Sequence, residues 1–327
     1  MSGMDTDKTQ LKTPLRRREA SILSPLRYPG AKRRLAGYVS EVVRLNGLQP
    51  KVFVEPFAGG ASVSLQLLNN GIVDSIVLGE RDPLVASFWK VAFDDSEWLI
   101  EQVSEIEVSV RNWCYFRENS FRTNRDRALA CMFLNRTSFS GILANTAGPI
   151  GGRLQSSDYK IDCRFNVDTI TKRLRQIASL KDRVLLVHNG DWQETIEKVE
   201  SWGHAPEEVF YYLDPPFYEK AARLYRYYFE NDDHKALHNR LMQLRQPWLL
   251  SYDPAPSIQA LYSHNGRGPK RVDLLYSASG TGALVAAQEL IVTNLAKLPS
   301  ATRIWRSSEE WRSTRCGVNS NGKKGRR

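Results

Sequence analysis

The sequence predicts an α/β protein built on a doubly wound parallel sheet, with a basic and mainly helical lobe inserted into it. Two observations carry that expectation. Short apolar runs alternate with amphipathic helical stretches on both sides of the chain's middle, as they do where parallel strands are joined by crossover helices. A central stretch, 111–183, breaks the alternation; it is rich in Arg, Ser and Gly and has a net charge of +8.

Residues 51–54 form the first expected strand, running into Glu-Pro-Phe-Ala-Gly-Gly, and 61–68 form a helix stopped by Asn70-Gly71. Residues 75–78 are a second strand ending in Gly79-Glu80, followed by a helix through Phe88 and Val91. In the middle, 126–134 and 167–180 read as helices, Leu174 and Ile177 sharing a face of the second, while 147–152 must be a loop. Strands return at 183–187, 209–213 and 248–251. Between the last two, Asp232 or Asp233 caps a helix striped by Leu237, Leu241 and Leu244. Residues 272–276 and 289–293 are the last strands, and the lobe is expected before the fourth strand of the sheet.

The 327 residues are 42% hydrophobic and 25% charged, enough for a large core. No apolar stretch approaches the roughly 18 residues of a membrane span, and no signal peptide is evident, so a soluble, cytoplasmic protein is expected. Cys114, Cys131, Cys163 and Cys316 lie far apart, which fits buried packing rather than disulfides or zinc. The net charge of +10 is segregated: +6 over 1–34, −7 over 35–110, +8 over 111–183, −3 over 184–301 and +6 over 302–327. Such gathering of positive charge is the footprint of a polyanion, or else merely a solvated surface.

Two constellations carry chemistry. Phe53-Val-Glu-Pro-Phe-Ala-Gly-Gly60 is a glycine turn between strand and helix that matches neither a dinucleotide fingerprint nor a P-loop. Its force comes from Glu80 at the end of the next strand, where a carboxylate can hold two ribose hydroxyls; the plainer alternative is a solvent-facing turn acid. Tyr211-Tyr-Leu-Asp-Pro-Pro-Phe217 sets an acid beside a proline-stiffened backbone carbonyl. Two fixed acceptors there can take both protons of an amino group on an aromatic ring, turning its lone pair toward an electrophilic methyl while Phe217 stacks on the ring. A base in a duplex reaches such a site only by flipping out. A structural turn with a capping Asp is the alternative. His234 and His238 share a helical face, but no third ligand is near, so a solvated pair is expected and no metal.

With these motifs in order, the chain resembles the Dam-like family (D12 class, alpha subgroup) of DNA adenine-N6 methyltransferases over roughly 24–295. Pro25-Leu-Arg-Tyr-Pro-Gly-Ala-Lys32 resembles its N-terminal cofactor motif, Val54–Gly60 its glycine loop, and Asn189-Gly-Asp-Trp192 the motif that holds the cofactor's adenine. The resemblance implies a Rossmann-like S-adenosylmethionine-dependent methyltransferase fold. It implies that Tyr28, Lys32, Glu55, Pro56, Phe57, Ala58, Gly59, Gly60, Glu80, Asp191 and Trp192 bind S-adenosylmethionine, and that Asp214, Pro215, Pro216 and Phe217 are catalytic. Leu134-Asn-Arg-Thr-Ser-Phe-Ser-Gly141 is similar to the segment entering the DNA-binding lobe, implying Asn135, Arg136, Thr137, Ser138 and Phe139 as DNA contacts; a helix end with an interior Phe is the alternative.

The expected division is a basic tail over 1–20, a catalytic domain over 21–110 and 184–298, a target-recognition lobe over 111–183, and a basic tail over 299–327. The implied substrate is double-stranded DNA, with a restriction endonuclease of the same sequence as a further partner. The competing expectations are an RNA or N4-cytosine methyltransferase and a non-catalytic nucleic-acid-binding relative. Two departures stand out. The catalytic motif ends in Phe217 where many members have Tyr, and residues 142–152 do not resemble the recognition loop of the GATC-methylating members.

Overall fold

The computed structural model describes residues 22–28, 32–219, 221–263, 268–277 and 284–304. The expected tail over 1–20, most of that over 299–327, Cys316, and Pro29-Gly30-Ala31 of the N-terminal motif lie outside the described residues. The strands are β1 (Val52–Glu55), β2 (Ser75–Glu80), β3 (Val184–Asn189), β4 (Val209–Leu213), β5 (Trp248–Tyr252), β6 (Lys270–Ser277), β7 (Leu284–Thr293) and β8 (Arg303–Ile304). They lie in the order β3-β2-β1-β4-β5-β7-β6-β8. The five from β3 to β5 are parallel, and β7 runs antiparallel to β5 and β6. The strand order reverses between β1 and β4, so their carboxyl ends flank the crevice in which doubly wound sheets bind ligands.

The helices are α1 (Leu35–Leu45), α2 (Ser62–Asn69), α3 (Pro83–Asp94), α4 (Ser96–Glu105), α5 (Val110–Glu118), α6 (Asn124–Thr137), α7 (Val167–Ala178), α8 (Trp192–Glu200), α9 (Ala221–Leu224), α10 (Asn231–Gln243) and α11 (Pro256–Leu261). They cover both faces of the sheet. Side-chain alternation assigns Phe53, Phe210, Tyr212 and Leu249 to the face under α1–α7, and Val54, Tyr211, Leu213 and Leu250 to the face under α8, α10 and α11. A strand buried on both faces reads as a continuous apolar run, which is why Val-Phe-Tyr-Tyr-Leu of β4 is so visible in sequence.

Two expectations change. The insertion falls between β2 and β3, ahead of the third strand rather than the fourth, because the chain from Pro83 to Glu118 is helical and supplies no strand. Nor is 111–183 a separate body. Cys131, Met132 and Phe133 of α6, and Ile170, Leu174 and Ile177 of α7, share one buried cluster with Phe88 and Trp89 of α3. At about 1.5–3 kcal/mol for each large apolar side chain removed from water, α6 and α7 are part of the main core. The charge that marked them as a lobe sits on their exposed ends and sides, as at Arg125 and Arg175. The segment 138–166 between them is largely irregular: Leu143, Ile161 and Phe165 enter the same cluster, while Arg153, Leu154 and Tyr159 are exposed.

His234 is also not a solvated residue. It is buried among Tyr218, Phe229 and Tyr252, hydrogen-bonded to the Tyr252 hydroxyl, and burial lowers its pKa to about 4, so it packs as a neutral ring. Among the described residues, no three His, Cys, Asp or Glu side chains converge as metal ligands, and no helix is long and apolar enough to cross a membrane. Cys131 is buried, whereas Cys163 is exposed.

Candidate active site

The site is built where β1, β2, β3 and β4 end. β1 finishes on Glu55, and the chain turns through Pro56–Gly60 into α2. A Cβ on Gly59, which has φ +44°, would stand 2.7 Å from Cε1 of Tyr28, so glycine lets that ring lie flat against the loop. Glu55 accepts hydrogen bonds from the backbone N–H and the hydroxyl of Ser64 in the first turn of α2, and burial pushes its carboxyl up to about 8. Glu80, ending β2, accepts from the N–H of Gly59 and of Asp82, each at 2.9 Å; burial raises it to about 7.

β3 is tied to the same edge. The Asn189 side chain and the Gly190 N–H both donate to the Glu80 carbonyl at 3.1 Å. Asp191 then caps α8 by accepting from the N–H of Gln193 at 3.0 Å. Trp192 is buried with its ring 6.3 Å from Phe57, which meets Phe229 edge-on at 5.5 Å.

β4 delivers Asp214 beside this edge. Oδ1 of Asp214 accepts from the Ser251 hydroxyl at 3.0 Å, Ser251 is backed by the Tyr212 hydroxyl at 2.9 Å, and the Lys32 ammonium lies 3.3 Å away. Burial raises the pKa of Asp214, and Lys32 and Ser251 oppose the rise. The Lys32 ammonium also stands 5.0 Å over the Phe217 ring, and Tyr225 packs between Phe217 at 6.0 Å and Tyr28 at 5.9 Å.

These parts line one open pocket, about 800 Å³ with the solvent at its mouth included. All eleven residues expected from sequence to hold a cofactor line it, from Tyr28 to Trp192, and so do Asp214 and Pro216. Pro215 is buried behind the wall, and Phe217 stands beside it under Lys32 and Tyr225. A strand-end acid, an aromatic cluster and a catalytic-type carboxylate thus share one chamber.

Comparison with known proteins agrees with this chamber. Residues 28–277 match the pattern of the family described as D12 class N6 adenine-specific DNA methyltransferase. The chain belongs to that family. Among curated proteins it is similar to the Type II methyltransferase M.MjaIII of Methanocaldococcus jannaschii, 25% identical over 212 residues that cover 59% of this chain and 68% of the relative. As a member of the D12 class, the protein methylates adenine in DNA at N6, with a methyl donor and DNA as its substrates.

The segment expected to meet DNA in this methyltransferase divides sharply. Asn135, Thr137 and Ser138 are wholly buried and occupied with the protein's own chain. The Asn135 amide accepts from the Arg27 N–H at 2.7 Å and donates to the carbonyls of Arg27 at 3.0 Å and Gly141 at 2.9 Å. Ser138 accepts from the Trp113 indole N–H at 3.0 Å and from Arg117 at 3.1 Å, and Thr137 donates to the Phe133 carbonyl at 2.6 Å. Arg136 lies behind the surface, donating to the Pro25 carbonyl. Asn135 and Arg136 join the N-terminal motif to α6, Ser138 joins α6 to α5, and Thr137 closes on its own helix, so the expectation of direct contact with DNA is corrected for the wholly buried Asn135, Thr137 and Ser138. The polar side chains that suggested phosphate contacts instead satisfy a buried chain crossing. Phe139, by contrast, is 55% exposed.

Sequence reading missed several participants. Ser251 and Glu289 lie within apolar strands, where a buried polar group demands a partner; that demand was the signal available. Tyr225, Tyr227, Tyr228 and Phe229 line the cavity from the segment after Phe217. Arg226 of the same segment reaches Asp82 at 2.7 Å.

Proposed function

We propose that the methyl donor is S-adenosylmethionine, and that the target adenine reaches Asp214 by flipping out of duplex DNA. The observation carrying this reading is that Asp214 opens into the same cavity as Glu80 and the glycine loop, so donor and acceptor sites are contiguous. The residues present suit this donor. A nucleoside is matched by Glu80, by Asp191 and by the Phe57–Trp192–Phe229 aromatic cluster, and the donor's positive charge by Glu80 in its ionised form. When bound, S-adenosylmethionine supplies an electrophilic methyl group on a positively charged sulfur.

In this reading Asp214 accepts one N6 proton in a hydrogen bond and the Pro215 carbonyl accepts the other, which directs the nitrogen lone pair toward the methyl carbon. As N6 accepts the methyl group that the bound donor would supply, Asp214 takes the proton that N6 gives up. Lys32 and Ser251 fix the carboxylate before the base arrives, so no reorganisation is needed at the moment of transfer. Phe217 offers a stacking face to the base once Tyr225 yields it.

The DNA surface in this reading is the 138–166 segment. Phe139, Leu154 and Tyr159 are exposed apolar groups there, accompanied by exposed Arg153, Lys160 and Arg164, a mixture suited to phosphates and unstacked bases. Burial, with Arg164 beside it, lowers the pKa of Arg27, and burial, with Arg173 and Arg27 beside it, lowers that of Arg136 to about 9; a DNA phosphate would relieve the repulsion. The Thr146 hydroxyl donates to the Arg223 carbonyl at 2.8 Å, linking this segment to the chain beside the catalytic motif. The domain division follows: recognition by 138–166, catalysis by the sheet. A restriction endonuclease of the same specificity, and a cytoplasmic setting on chromosomal DNA, complete the proposal; support for the former is the Type II relative. Transfer of a labelled methyl from S-adenosylmethionine to duplex DNA, RNA and free adenosine tests it. Label recovered as N6-methyladenine in DNA is expected, and recovery in RNA or as N4-methylcytosine would overturn it.

A further inference from the structure

β7 carries a buried acid in a strand whose other residues, apart from Gln288 and Thr293, are apolar. Glu289 is 2% exposed, and burying a carboxylate is unfavourable unless it meets a cation. The cation is Lys32: Oε1 of Glu289 lies 3.1 Å from its ammonium, which is itself 4% exposed and 3.3 Å from Oδ1 of Asp214. One ammonium thus joins two carboxylates brought from separate strands. Asp214 is held independently through Ser251 and Tyr212, so Glu289 is not required to shape the catalytic turn.

The charge balance is what Glu289 alters. Lys32 and Asp214 by themselves make a neutral pair, and such a pair presents little negative potential to an amine. With Glu289 the trio is net negative. Methylation places positive charge on N6 before its proton leaves, and fixed negative potential at that point favours the transition state. We infer that Glu289 is a positioning residue for methyl transfer: it holds the Lys32 ammonium and offsets its charge, leaving Asp214 available to the target amine. This inference rests on the reading of Asp214 as the catalytic carboxylate.

The test compares the full-length protein with Glu289→Gln, Lys32→Gln and the double variant in single-turnover methyl transfer to DNA across pH. Donor affinity and Tm are measured on each. Glu289→Gln is expected to slow transfer by about tenfold or more while changing donor affinity by less than about threefold. Its acid limb should move to lower pH, because losing a negative neighbour lowers the pKa of Asp214. Lys32, Asp253, Glu55 and the hydroxyls of Tyr212, Tyr225 and Tyr252 also bear on Asp214 and are unchanged by that substitution. In the Lys32→Gln background the same change should have no further effect, since a carboxylate buried without its cation does not keep the charge that the substitution would remove.

Wild-type rates and acid limb in Glu289→Gln would overturn the inference, and so would equal effects in both backgrounds. If Glu289→Gln does not fold, the double variant decides: a rate equal to that of Lys32→Gln supports it, and a rate about tenfold lower overturns it. Asp214→Asn is run in parallel. Its retaining wild-type activity would sink the reading of Asp214 itself, whereas an inactive Asp214→Asn beside a normal Glu289→Gln sinks the inference alone.

Discussion

The carboxylate of Glu80 accepts a hydrogen bond of 2.9 Å from the backbone N–H of Gly59, locking the end of β2 to the glycine loop that follows β1. Burial holds this acid at about 7, so near neutral pH much of it is protonated before a donor binds. Accepting two ribose hydroxyls calls for the ionised form. S-Adenosylmethionine affinity is therefore expected to rise from pH 6 to pH 8, around the Glu80 value. Calorimetric titrations of wild type and Glu80→Gln should separate this from the donor's own ionisation. The variant is expected to bind about tenfold more weakly and to lose the pH-dependent increment. A wild-type profile parallel to that of Glu80→Gln would contradict the assignment.

The same shift has a consequence for stability. An acid whose folded pKa lies above its unfolded value binds its proton more tightly in the native state. Raising pH from about 4.5 through about 7 for Glu80, and through about 8 for Glu55, then removes stability from the donor-free protein. Thermal unfolding without donor should show Tm falling across this window, and saturating donor should recover part of the loss near pH 8. A Tm that rises steadily from pH 5 to pH 8 would contradict the burial argument.

Asp214→Ala is expected to lower the transfer rate by about a thousandfold while leaving donor affinity within about threefold, because its loss removes an interaction made with the target amine. Single-turnover kinetics beside calorimetry check this. Equal loss of rate and donor binding would make Asp214 a structural group.

Much of the chamber was legible because its residues follow strands in fixed patterns. Val54–Gly60, Glu80 and Asp214 each stand where an apolar run stops, and strand pairing of Glu55 with Leu78 and Val54 with Tyr211 gathers those ends at one edge. The rest depended on contacts between distant parts of the chain. Glu289 meets Lys32 from a strand far along the sequence, and no local pattern encodes that meeting. That α6 and α7 belong to the main core was hidden from the sequence for a related reason. Net charge records what a helix shows to solvent, whereas membership of the core is decided by Met132, Phe133 and Ile170 on the opposite side.

Substituting Arg153, Lys160 and Arg164 by Gln together should reduce the slope of log K for DNA against log salt by up to about 0.9 for each phosphate that is no longer neutralised. All three side chains are exposed, so Tm should change little. Fluorescence anisotropy over a salt series measures the slope. An unchanged slope would move the DNA away from the 138–166 segment.

Asn135 and Phe139, four residues apart, should fail in opposite ways. Asn135→Ala leaves the Arg27 N–H and the carbonyls of Arg27 and Gly141 without their partner in a buried place, at about 1–3 kcal/mol for each unsatisfied group. The chain cannot relax there easily, because a Cβ on Gly141, with φ +74°, would lie 2.1 Å from the Arg27 carbonyl. Tm is expected to fall by several degrees, with the salt slope of DNA binding unchanged. Phe139→Ala should leave Tm nearly untouched and weaken the complex with DNA by about 1–3 kcal/mol, the scale of a base stacked on an aromatic ring. The opposite pattern, a stable Asn135→Ala that binds DNA poorly beside a destabilised Phe139→Ala that binds normally, would return Asn135 to the DNA surface and place Phe139 in the core.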